Sequence, residues 1–320
     1  MLARHAENLF WAGRYIERAE LTARMVDVTY HGLLESPAIE VRETWAQLLD
    51  VLQLASAYAE RHGDVDPARA IEFLVDDVAN GGSVRASITR ARDNLRGVRE
   101  LVSSETWEAV NSLYLQISQR DVHADLAGQP YELFGEVKRG AQLVVGVAND
   151  TMPHDDGWRF LTLGRMLERV EMTCRLLLVR LGRNGRVHEE LGFADGLAIL
   201  KSVSASEAFR KTHQQMDPAG VIDFLVFSAA FPRAVLYCLQ SADHQLAVLG
   251  DGTPGVGRAR RRLGRLRAGV EFRNVEELLA EGLGPFFDGI QHQIREVADC
   301  VGDEFFRHTQ PMVLHNVTAS

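Results

Sequence analysis

The chain has 320 residues, 46% apolar and 25% charged, a composition that builds a substantial globular core. A formal charge of -9 argues against a generic nucleic-acid binder, whose domains are usually basic. The three cysteines, Cys174, Cys238 and Cys300, are far apart and form no CxxC pair, which points to a reducing, cytoplasmic setting with no disulfide framework and no zinc site.

In chain order, "MLARHAENLFWAGRY" (Met1 to Tyr15) carries no long apolar core of a signal peptide. No later stretch approaches the roughly 18 uncharged apolar residues of a membrane span, so no membrane association is expected. A helix is predicted through "GRYIERAELTAR" (Gly13 to Arg24). On a helical wheel Trp11, Tyr15, Ile16, Ala19, Ala23 and Val26 fill one broad face. Phe10, Leu21 and Met25 fall on the other side, where Arg14, Glu17, Arg18 and Arg24 also point. An ordinary surface helix segregates charge from its apolar stripe, so this one is expected to be central, with neighbours on several sides. Its charges then need partners, because Arg and Glu are almost never fully buried unpaired. The sequence offers Arg14 with Glu17, Glu17 with Arg24, and Glu20 with Arg24 along the helix. It also offers a second copy of the stretch to pair with.

Apolar residues at three- and four-residue spacing (Leu48, Leu49, Leu52, Ala55, Tyr58) continue the helical pattern. Breakers divide it at Ser36-Pro37, Asp66-Pro67, Gly81-Gly82, Gly128 to Pro130, Asp217-Pro218 and "GDGTPGVG" (Gly250 to Gly257). Pro67 and Pro218 read as first-turn prolines behind Asp N-caps. "RARDNLRGVRE" (Arg90 to Glu100) places Arg92, Arg96 and Arg99 on one helical stripe, with Arg85 seven residues back, suited to a phosphate or an acidic partner, or to a solvated face. "LVVGVA" (Leu143 to Ala148), the one strand-like run, lies inside a helical pattern and is read as helix. "NDTMPHDDG" (Asn149 to Gly157) is rich in turn formers.

Directly after that junction comes "GRMLERVEMTCR" (Gly164 to Arg175), which repeats Gly, Arg, Glu, Arg, Glu, Thr and Arg of the first stretch at an offset of 151. The same offset lays Ile71–Val75 on Ile222–Val226, Leu48, Leu49 and Leu52 on Ile199, Leu200 and Val203, and Tyr58 on Phe209. It also pairs Val84 with Val235, Ala91 with Ala242 and Leu95 with Leu246. The expectation is an all-α protein of two homologous helical-bundle halves, 1–150 and 151–320, related by pseudo-twofold symmetry, with about five or six helices in each. The arginine stripe is not repeated, since Asp243, Gln245, Ala247 and Gly250 stand where the first half has Arg92, Asn94, Arg96 and Arg99.

A last cluster, "GRARRRLGRLRAG" (Gly257 to Gly269), carries six arginines and reads as an exposed helix or as an RNA or phosphate site. The His154/Asp155/Asp156 and His188/Glu189/Glu190 groups read as surface. No P-loop, GxGxxG after a strand, HExxH or GxSxG elbow is present, and no nucleophile stands beside a base.

The duplicated Gly-Arg-x-x-Glu-Arg stretch resembles the Alpha-E family, α-helical proteins named for a Glu-Arg motif and typically carrying it in tandem. The likeness rests on Ala6–Arg24, Arg90–Asn111, Gly164–Arg175 and "FPRAVLYCL" (Phe231 to Leu239), and maps the motif onto Glu17-Arg18 and Glu168-Arg169. The resemblance implies a role in a peptide synthesis or modification system beside a circularly permuted ATP-grasp ligase, a transglutaminase-like protein and an Ntn-hydrolase-type peptidase. No reaction is implied for the domain itself, and no cofactor or metal.

The leading expectation is a non-catalytic partner of the ligase that binds ligase or peptide through Arg14, Glu17, Arg18, Arg24, Arg92, Arg96, Arg99, Arg165, Glu168, Arg169, Arg175 and Arg233, with a homo-oligomer also compatible. One alternative is a stand-alone enzyme acting on an amino acid or peptide, with Glu17 or Glu168 as the acid/base. Another is a module for RNA or a phosphorylated ligand. Against all three stands a purely structural ion-pair network.

Overall fold

The protein is described by a computed structural model covering residues 1–33, 38–128, 130–183, 186–187, 193–213, 215–250 and 257–307. Ser36-Pro37, the His188/Glu189/Glu190 group, most of the Gly250 to Gly257 loop and the C-terminal run from Pro311 lie outside the described residues.

Where turn chemistry was explicit, it sets the boundaries. Asp66 accepts from the Arg69 amide and Asp217 from the Gly220 amide, each with Pro in the first turn, as expected. The helices in order are α1 (Ala3–Gly32), α2 (Ala38–Val51), α3 (Ala55–His62), α4 (Pro67–Val75), α5 (Val84–Arg96), α6 (Ser104–Ser118), α7 (Val122–Ala127) and α8 (Pro130–Thr151). After the Asn149 to Gly157 junction come α9 (Asp156–Leu181), α10 (Phe193–Ser202), α11 (Ser206–Thr212), α12 (Pro218–Ile222), α13 (Val235–Leu249), α14 (Arg258–Glu271), α15 (Val275–Glu281) and α16 (Leu283–Val301).

The described chain is therefore all-α, with Leu143–Ala148 inside α8. Two details differ from the sequence reading. Among the described residues each side of the junction holds eight α-helices rather than five or six, because the connecting segments themselves wind into short helices such as α7 and α12. A two-residue antiparallel pairing, Gly182–Arg183 with Arg186–Val187, follows α9.

The two long helices, α1 and α9, pack along each other at the centre. α1 packs on α5 and α8, with α6 against both of those; α9 packs on α13 and α16, with α14 against both of those. The architecture is two four-helix bundles joined through α1 and α9. The joint is unusually close. A Cβ on Gly13 would lie 2.1 Å from the Leu161 carbonyl oxygen, and one on Gly164 would lie 2.0 Å from that of Phe10. Only glycine lets the two backbones meet there. Among the short connecting helices two ring trios form: Tyr58, His62 and Phe73 on α3 and α4, and Phe209, His213 and Phe224 on and after α11 and α12.

Candidate functional site

The close crossing of α1 and α9 decides what their charges meet. Arg14 Nε donates to Glu168 Oε2 at 2.9 Å, and Arg18 donates bidentately to the same carboxylate at 2.6 and 3.0 Å. Arg14 also lies 2.9 Å from Glu171. In the opposite sense, Arg169 Nε donates to Glu17 Oε1 at 2.5 Å, and Arg165 Nε approaches Glu17 Oε2 at 3.6 Å. The second copy of the stretch is thus the principal partner of the first. Of the pairs proposed along the helix, Glu20 with Arg24 forms at 2.5 Å, and Arg175 pairs with Glu171 in the same i,i+4 way. Arg14 does not pair with Glu17, nor Glu17 with Arg24, because those groups face across the interface instead.

A seventh guanidinium enters from the segment before α13. Arg233 donates to Glu17 at 3.3 Å and to Glu20 at 2.5 Å. Gln142 of α8 adds a bond to Glu20 at 3.2 Å, and Gln291 of α16 accepts from Arg175 at 3.4 Å. Glu20, Glu171, Gln142 and Gln291 were absent from the sequence-based site, Glu20 entering the sequence analysis only as the partner of Arg24. For Glu171 the signal was available, since it is the 151-residue echo of Glu20.

The cluster holds Arg14, Arg18, Arg24, Arg165, Arg169, Arg175 and Arg233 against Glu17, Glu20, Glu168 and Glu171, an excess of positive charge. Glu168 is fully buried, whereas Arg18 keeps a quarter of its side chain exposed. Burial by itself would raise the carboxylate pKa values. Arg18 and Arg14 overcome it at Glu168, and Arg233 and Arg24 at Glu20, so both fall from 4.5 to about 2. Glu168 therefore stays ionised at neutral pH, with its oxygens bonded to two guanidiniums, and offers neither proton nor base. Burial, then repulsion from Arg169, lowers Arg165 to about 10. Burial also raises the thiols of Cys174 and of Cys238, the latter to about 12, so neither is a ready nucleophile.

The other sequence candidates fall elsewhere. Arg92 lies 4.6 Å from the Tyr114 ring and donates to Asn111 at 3.1 Å. Arg92 and Arg99 both approach Trp107, at 5.8 and 5.3 Å. Arg96 remains largely in solvent, 3.7 Å from Asp93. Arg85 is tied to Asp76 and to the end of α6. The stripe does not reach the Glu-Arg network. In the last arginine cluster, Arg258, Arg260, Arg262 and Arg267 pair with Asp303, Asp243, Glu296 and Glu271, and Glu304 accepts the first amides of α14. That local neutralisation weakens the RNA reading. No group of three or more His, Cys, Asp and Glu suited to a metal occurs among the described residues. Among them, too, no helix is long and apolar enough to cross a membrane.

One feature beside the network escaped the sequence reading. A cavity of about 340 Å³ opens between α1 and α5, lined by Glu7, Asn8, Trp11, Tyr15, Arg90, Asp93 and Asn94. It adjoins the network through the Tyr15 ring, which Arg18 and Arg90 approach at 5.6 and 5.7 Å.

Residues 1–306 match the model of Alpha-E, a predicted alpha-helical domain with a conserved ER motif. The chain is 27% identical to an uncharacterized protein of Mycobacterium bovis and 26–27% identical to two uncharacterized proteins of Mycobacterium tuberculosis. Each match covers 91% of this chain and 36% of the relative, so the chain spans about a third of the length of these relatives. No solved structure matches it.

Proposed function

The chain belongs to the Alpha-E family, and on that footing we propose that it is a non-catalytic component of a peptide synthesis or modification system, working beside a circularly permuted ATP-grasp ligase and a transglutaminase-like protein in the cytoplasm. The observation that carries the non-catalytic part is the saturation of the network: its carboxylates are taken up by guanidiniums, and Glu168 and Glu20 are held ionised. An acid/base enzyme centred on Glu168 would need a carboxylate near neutral pKa. The longer relatives support a domain that acts with other polypeptide. The resemblance supplies the identity of the partners.

In this reading the network fixes the α1–α9 joint, and its basic edge, foremost Arg18, together with the adjoining cavity, receives ligase or peptide. We read the two bundles as products of a tandem duplication, 1–150 and 151–320. The 151-residue offset links the glycines at the crossing, the reciprocal ion pairs and the ring trios alike. The test is co-purification with a circularly permuted ATP-grasp ligase from the same organism. A stable complex that changes the ligase rate, and is weakened by Arg18→Glu, is expected. Absence of both association and rate change would remove the partnership.

A further inference from the structure

Positions 151 apart behave differently where each central helix meets its first neighbour. Between α9 and α13, Arg159 donates to Gln245 at 2.9 Å and bridges the two helices. Trp158 donates to Asn149 at 3.1 Å and stacks on His154. Between α1 and α5 the corresponding residues are Asn8 and Asn94, and among the described residues their side-chain amides make no hydrogen bond. They face the cavity instead. Shorter side chains at both ends leave the gap unbridged.

The lining has a definite chemistry. Glu7 supplies a carboxylate with no ion-pair partner among the described residues. Asp93 uses Oδ1 toward Arg92 and Arg96 and keeps Oδ2 unengaged. Arg90 is held by a bond from Nη1 to the Gly81 carbonyl at 3.0 Å and by its approach to Tyr15, leaving other N–H groups for an acceptor. A Cβ on Gly81 would lie 2.5 Å from Arg90 Nη1, so the guanidinium rests directly on that glycine. Trp11 and Tyr15, with ring centroids 5.7 Å apart, form one wall. Acid and guanidinium thus line the same small cavity, with two amides and an aromatic wall between them. The volume is at the low end for ligand sites, about 300–1,000 Å³.

We propose that this cavity is a binding site for a zwitterionic α-amino acid or short peptide: its ammonium goes to Glu7 and Asp93, its carboxylate to Arg90, its side chain to Trp11 and Tyr15 and, in a peptide, the amide to Asn8 and Asn94. The site deepens the peptide-binding part of the reading above and rests on it, but needs no ligase to be measured.

The test is titration calorimetry on the full chain with L-alanine, L-phenylalanine, L-alanyl-L-alanine and L-alanyl-L-phenylalanine, and with N-acetylated and C-amidated forms of each. Saturable binding at one site per chain is expected, and each cap should weaken it at least about tenfold through loss of a charge-assisted bond. The free amino acids and the dipeptides form separate arms, and whichever binds identifies the source. Arg90→Ala, at an exposed position that leaves the fold intact, should weaken binding by a similar factor. The double substitution Asn8→Arg/Asn94→Gln, which copies the bridge of the other bundle, should abolish it. No saturable binding by any uncapped probe would overturn the site, as would binding indifferent to the caps or to Arg90→Ala. Ligase association without probe binding would sink this site alone, whereas probe binding without ligase association would sink the partnership alone.

Discussion

The two ends of the Glu-Arg network are built from the same residues at the same spacing, yet they are not equivalent. Around Glu168 and Glu171 stand Arg14, Arg18 and Arg175. Around Glu17 and Glu20 stand Arg165, Arg169 and Arg24, joined by Arg233, whose 151-residue counterpart is Gly82. The Glu168 end opens to solvent at Arg18, whereas Arg165 and Arg169 are buried. The same sequence stretch therefore sits in two environments: one end is buried, the other a partly wet edge next to the α1–α5 cavity. The two helices present matching residues at matching spacing, and single differences such as Arg233 or the Arg159–Gln245 bridge set their surroundings apart.

That comparison breaks most severely at Glu17. Glu17→Gln leaves Arg165 and Arg169 without their carboxylate in a dry site, while Arg233 keeps Glu20, and should cost about 3–5 kcal/mol by chemical denaturation. Glu168→Gln removes the carboxylate from Arg14 and Arg18, but Arg14 keeps Glu171 and Arg18 can turn toward water, so the loss should be smaller, about 2–3 kcal/mol. Equal losses would deny the difference between the ends.

The frame itself is tested by Gly13→Ala or Gly164→Ala. Each pushes a methyl group into backbone, so the cost should reach or exceed the upper end of overpacking, about 3 kcal/mol, with the melting temperature falling accordingly. A neutral effect would mean the helices do not approach as described.

Acid should sharpen the account further. Glu20 and Glu168 have folded pKa values lowered from 4.5 to about 2, so their contribution is present above pH 4.5 and lost as pH falls toward 2. Stability should decline through that window, and Glu168→Gln should flatten the decline; a mutant profile parallel to the wild type would contradict it. The smallest effect should be at Arg96, on the exposed stripe. Arg96→Ala should change stability by less than about 0.5 kcal/mol, measured the same way.

Much of this was legible in the sequence because backbone chemistry and periodicity are local. The Asp-Pro helix starts, the α8–α9 break and the central position of α1 and α9 followed from caps, turn formers and charges interleaved with apolar residues. The repeat also pointed to the two copies as each other's partners. What the sequence could not show was which of several possible partners each charge takes. Arg14 and Glu17 sit at pairing distance along a helix, but the glycine crossing brings Glu168 and Arg169 closer and in better geometry. Arg233 reaches Glu17 from over 200 residues away, through the fold of the segment before α13. The α1–α5 cavity was invisible for a related reason: it arises from what Asn8 and Asn94 fail to span, and a gap between helices has no periodicity.

A double-mutant cycle on Arg18→Met and Glu168→Gln, read by denaturant unfolding, addresses the cross-bundle pairing most directly. The two residues lie 150 positions apart in sequence and share a bidentate bond. A coupling energy of about 1–3 kcal/mol is expected, with Arg18→Met costing little once Glu168 is neutral. Losses that add to within about 0.5 kcal/mol would show that the two helices do not hold each other through these charges.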